Sequence, residues 1–176
     1  MVLQRIRQHV MVIKHNGIFD MQHLFHAMHD WFESSGYEFH ERQAKHKVPS
    51  PAGSEEEYRW FAEMDITEYV KFTIAIFMHV WDLREIEVVK HGEKKTLTQG
   101  RILIEITPTL QLDWTERFGG SKFMQGLQDW FHKYIWKHEI EDLWWDELYY
   151  RSYKLHRVIK EALEFETKTN ASEGRW

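Results

Sequence analysis

The 176-residue chain contains no cysteine, which excludes disulfides and thiolate metal sites and fits a reducing, cytoplasmic compartment. Long apolar runs are missing as well. The longest uncharged one, Phe72 to Trp81, has ten residues, against ~20 for a helix that crosses a bilayer, so no membrane span is expected. The first nine residues interleave charged and apolar side chains and predict no signal-peptide core. Basic charge is also short: the net charge is −5 with histidine neutral, which argues against a general nucleic-acid binder, whose footprint is basic. There is no Gly-x-Ser-x-Gly elbow, P-loop or dinucleotide fingerprint. The expectation is therefore a protein without cofactor, leaning away from an enzyme.

What is present is aromatic. Phe, Trp and Tyr make up 15% of the chain, with nine tryptophans, and hydrophobic residues 43%. This is a globular composition at the size of one domain, and it needs no staple to fold. A surplus of rings fills a core, lines a cavity or forms a contact surface. Twelve histidines are the second excess; if many titrate freely, the net charge changes sign on mild acidification.

Periodicity predicts the elements. Residues 2–13 alternate, with Val2, Gln4, Ile6, Gln8, Val10 and Val12 on one side and Arg5, Arg7 and His9 on the other, a strand ended by Asn16-Gly17. Asp20 is an N-cap for a helix whose Met21, Leu24, Phe25, Met28, Trp31 and Phe32 form one stripe, with Phe19 placed to staple against Leu24. Ser34-Ser35-Gly36 stops it. Residues 37–47 read as a strand and edge, and 49–54 as a loop. A meander follows: 58–66, then Val70 to Trp81 as a central strand buried on most of both sides, then 86–89 paired with 100–106 across Lys90 to Lys95. Pro108 lacks a ladder donor, which predicts a bulge or an edge there, before Leu110, Leu112 and Trp114 resume the alternation.

Ser121 caps a C-terminal helical segment. Phe123, Leu127, Trp130, Phe131, Tyr134 and Ile135 form its first face, and Leu148, Leu155, Ile159 and Ala162 a later one interrupted by Ser152. One helix from 121 to 164 would be ~65 Å long, against a radius of gyration of ~16 Å for a domain of this size. A kink or turn at Lys137 to Asp142 is expected, with residues 167–176 as a disordered tail. The domain plan is thus 1–166, divided into 1–120 and 121–166.

Few constellations carry chemistry. His23, His26 and His29 at three-residue spacing on the first helix are metal candidates, but a solvated polar face explains them as well. His138, Glu139 and Asp142 form half a zincin pattern without its second histidine, and Glu139, Asp142 and Asp146 form an acidic patch equally consistent with solvation. Glu63 with Asp65, and Glu105 beside Arg101, are paired charges that an ordinary wet sheet face supplies without catalysis. The aromatic set says more: Trp130, Tyr134, Trp144, Trp145, Tyr149 and Tyr153 are the candidate ligand or partner contacts, because together with Tyr150 they exceed the single stripe that packing on a sheet requires.

The order strand, helix, antiparallel meander of about six strands and long or broken C-terminal helix resembles the helix-grip fold of START and Bet v 1-like proteins. That resemblance implies an α+β fold holding an apolar small molecule or lipid between sheet and helix, by fold-level analogy alone. Tyr69-Val70-Lys71-Phe72, Val80-Trp81-Asp82-Leu83 and Ser121-Lys122-Phe123 are also similar to small archaeal proteins that bring no known function. The leading expectation is a non-enzymatic binding protein for an apolar molecule. The alternative is an interaction module, pairing with itself or another protein through the aromatic C-terminal helix.

Overall fold

The computed structural model describes residues 4–50, 53–90, 93–115 and 143–164, together with Gly126 and Trp130. The elements are β1 (Gln4–Arg7), β2 (Met11–Phe19), α1 (Met21–Ser34), β3 (Glu38–Ser50), β4 (Gly53–Asp65), β5 (Val70–Lys90), β6 (Glu93–Leu112) and α2 (Trp145–Ala162). All strands join one six-stranded antiparallel sheet in the order β1-β6-β5-β4-β3, with β2 also paired to β6. The chain leaves β2 at one edge and re-enters through β3 at the other, so α1 crosses the sheet, and α2 packs beside it. The fold is α+β with the C-terminal helix on the sheet, the layout expected of a helix-grip-like protein.

α1 forms where its punctuation places it. Asp20 is extended (φ −92°, ψ 102°) and its carboxylate accepts a 2.9 Å bond from the His23 amide, satisfying a donor that the first turn leaves free. Leu24, Met28 and Phe32 are fully buried, and Phe19 is buried before the cap. Ser35 ends the helix, and Gly36 follows at φ 80°, a conformation that needs no Cβ.

Pro108 accounts for the division of the first strand. It lies in β6 opposite Ile74 of β5 with no register shift, so β6 is not an edge there, and the expected bulge falls on the strand path facing its other side. Its carbonyl accepts from the Gln8 amide at 3.0 Å, so its missing N–H points to that same side, towards the β1–β2 path. There the ladder breaks. Arg7 pairs with Thr109 and Met11 with Ile106, leaving three residues, Gln8 to Val10, against two. One extra residue reverses the alternation. Val10 and Val12, expected on the drier face, are 44% and 46% exposed, while Ile13 is buried. Asn16-Gly17 does not end β2 either; Gly17 pairs with Gly100 and the strand runs on to Phe19.

The hairpin β5–β6 is also longer than the pattern implied. Its two expected strand pieces on each side merge into strands of 21 and 20 residues, interrupted by a register shift between Trp81 and Arg84. Asp82 sits there at φ 56° and pairs with Arg101 at 2.7 Å. A second shift in β4 falls between Ser54 and Glu56. Gly53 lets the two irregularities meet, since a Cβ on it would lie 2.6 Å from the Asp82 carbonyl carbon. The expected 49–54 loop shrinks accordingly: Ser50 and Gly53 are already paired.

The core lies between the helices and one sheet face. Phe72, Ile74, Met78, Val80, Ile104 and Ile106 are fully buried, as are Leu148, Leu155 and Ile159 of α2; each such side chain contributes ~1.5–3 kcal/mol of burial. Ser152, the break in that seam, donates to the Leu148 carbonyl at 2.8 Å and is fully buried. The opposite face of β5 is more open than expected. No described helix covers it; Ala75 is exposed and Phe77, His79 and Trp81 are half-buried. Arg42 caps Phe61 at 4.0 Å and Arg59 caps Phe77 at 5.3 Å.

Candidate functional site

α2 separates the aromatic set into two roles. Its seam of Leu148, Ser152, Leu155, Ile159 and Ala162 faces the core. Trp144 joins that side, half-buried with its ring 6.3 Å from Phe72, and Trp145 is half-buried. The tyrosines face outward: Tyr149, Tyr150 and Tyr153 are 42%, 64% and 54% exposed. Tyr149 stacks on Tyr153 at 6.4 Å and 23°, and Tyr153 on His156 at 5.9 Å and 21°, so the rings form a ladder along the helix. Burial first, and Lys160 one turn on, hold the His156 imidazolium below its ordinary range.

Asp146, Tyr150, Tyr153 and Arg157 follow one another at steps of four, three and four, all exposed and directly opposite the buried seam. The stripe is therefore acidic at its start, aromatic in its middle and basic towards its end. Arg157 reaches Glu161 at 3.4 Å, with both side chains more than two-thirds exposed, a pair of little energetic weight. Arg151 is held aside by Glu147 at 2.7 Å.

Of the other predicted contacts, Trp130 is helical and 52% exposed. Tyr134 lies outside the described residues, as do the expected kink at 137–142, His138, Glu139, Asp142 and the tail. Leu143, just before α2, is a further exposed apolar side chain at 53%.

The metal candidates part company. His23, His26 and His29 are all exposed on α1, and among the described residues only His29 gathers with other donors, Asp30 and Glu33. Glu63 and Asp65 both meet Lys71, at 3.7 and 3.1 Å, which is the wet-face reading of that pair. Arg101 turns to Asp82 rather than to Glu105. Among the grooves of the described residues, one of 610 Å³ lies beside the start of α1, and two, of 360 and 440 Å³, involve the uncovered sheet face; these three are not lined by a residue of α2.

A cluster that the sequence reading passed over lies on that uncovered face. Glu55, Glu57 and His79 place their ligand atoms within 4.8 Å of one another, and none of the three is exposed. The signal was present as Glu-x-Glu at strand spacing, but its partner on β5 becomes visible only with the register. No known protein family matches the chain, and no curated protein matches it.

Proposed function

We propose that this protein is a non-enzymatic interaction module that pairs with a second copy of itself through the outer stripe of α2. The observation that carries this reading is the self-complementary order of that stripe. In an antiparallel pair of α2 helices about a twofold axis at the level of Arg151 and Ser152, Asp146 of each copy faces Arg157 of the other. Tyr150 then meets Tyr153 across the centre of the seam. Opposite charges come together at both ends and rings at the centre, and every contact is made twice, the signature of an isologous interface. The four-three-four spacing is also that of a helix–helix seam.

The area is modest. About three turns of one helix fall at the low end of interface sizes, below ~1,200 Å², so the pairing is concentration-dependent. Sedimentation velocity over a concentration series tests it. Wild type moves from monomer to dimer, Asp146→Lys and Arg157→Glu each abolish the dimer, and the double variant restores it. A monomer at every concentration, or single variants that dimerise as wild type does, ends the proposal. The restored double variant matters most, because mere loss of a surface charge cannot produce it.

A further inference from the structure

We propose that Glu55, Glu57 and His79 bind one divalent transition-metal ion of the Mn²⁺, Fe²⁺ or Zn²⁺ class on the uncovered face of the sheet. This site is separate from the pairing surface on α2 and does not depend on it.

The geometry comes from two adjacent strands. Glu55 and Glu57 are two residues apart on β4 and so share a face, and His79 is the direct cross-strand neighbour of Glu57. Glu55 sits at the register shift of β4, where a bulge re-aims a side chain, and His79 Nε2 lies 2.5 Å from its Oε1. The imidazole is fixed from its other side by Trp81, stacked at 3.8 Å and 26°. That stacking does for the ring what an outer partner does in a metal centre: it sets the direction of the ligating nitrogen before the ion arrives. The shift between Trp81 and Arg84 is itself pinned by the Asp82–Arg101 ion pair and by the close approach of Gly53. The donor-bearing backbone is therefore preorganised.

The donor set selects the ion. Two carboxylates and one imidazole, with no thiolate in the chain, suit borderline divalent metals and disfavour soft ions such as Cu⁺. Three protein ligands leave coordination positions open towards solvent. Among the described residues two other groups bring three such donors together, His29 with Asp30 and Glu33, and Glu38 with His40 and Glu63; both include exposed side chains. Lys45 stands opposite Glu57 in the β3–β4 register and is the built-in competitor for that carboxylate.

The test uses the untagged full chain titrated with Mn²⁺ or Zn²⁺ alone, followed by calorimetry and native mass spectrometry. One equivalent binds to wild type. His79→Phe, which keeps a ring against Trp81 but has no nitrogen, and Glu57→Gln each weaken binding at least about tenfold. His29→Ala and His40→Ala leave it unchanged. As a readout that needs no variant to fold, Mn²⁺ broadens the ring resonances of His79 and Trp81 in wild type before those of His29 or His40. No binding by wild type, unchanged binding in His79→Phe, or broadening that begins at His29 or His40 overturns the proposal.

Discussion

Gln8 Nε2 donates a 2.6 Å hydrogen bond to the carbonyl of Trp145, across 137 positions of sequence. The donor belongs to the break between β1 and β2 that Pro108 imposes, and the acceptor to the first turn of α2. The irregularity in the sheet is thereby what anchors the start of the C-terminal helix. Gln8 is only 5% exposed, so water does not replace the bond when it is lost. Gln8→Leu is expected to destabilise the fold by ~1–3 kcal/mol, measured by chemical denaturation. Amide exchange at Tyr149 and Tyr150 accelerates selectively. Unchanged protection there would show that the bond does not hold the helix.

Opposite faces of α2 respond differently to truncation. Leu155 is fully buried, and Leu155→Ala is expected to cost ~2–5 kcal/mol through lost burial and the cavity left behind. Tyr150→Ala, on the outer stripe, changes monomer stability by no more than ~0.5 kcal/mol while removing self-association. Denaturation at a concentration where wild type is monomeric, paired with sedimentation at high concentration, separates the two effects.

Two glycines make a contrasting pair. Gly53 combines φ +130° with backbone 2.6 Å from where its Cβ would be, so Gly53→Ala is expected to destabilise by at least ~1 kcal/mol. Gly126 is helical and exposed, with nothing near a new Cβ, and Gly126→Ala stabilises by ~0.5–1 kcal/mol. Thermal melts of the two variants should move in opposite directions.

His156 links stability to pH. Its pKa in the folded chain is lowered, by burial first and by Lys160 second, so below the ordinary histidine value of ~6.5 the unfolded chain binds the extra proton. Stability is then complete above that value and is lost as pH falls towards the folded pKa. Removing the imidazole in His156→Gln should flatten this part of the profile, read from denaturation midpoints between pH 7 and 5. An equal slope in both proteins would assign the loss to other groups.

Much of the fold is local and was legible. The Asp20 cap, the stripe of α1 and the Leu148–Ala162 seam each follow from spacing within a few residues, because a helix buries its apolar face at fixed intervals whatever covers it. Alternation likewise identified the strands of the meander. It failed at Gln8 to Val10, where one additional residue reverses which side chains face the core, and at Trp81 to Arg84, where a register shift lies inside one strand rather than between two. Neither leaves a mark in period, since both depend on what the neighbouring strand presents.

The candidate sites divide in the same way. The sequence by itself determined that α2 carries more rings than one packed face can use, and the order of Asp146, Tyr150, Tyr153 and Arg157 is a property of the chain alone. Only the tertiary structure decided that Trp144 turns inward while the tyrosines stay in solvent, because that choice depends on where α1 and the sheet stand. It alone also brought His79 beside Glu57, through a hairpin register that no short-range pattern encodes. Helix faces are set by spacing along one segment; cross-strand neighbours are set by the pairing of two, and pairing is a decision of the whole fold.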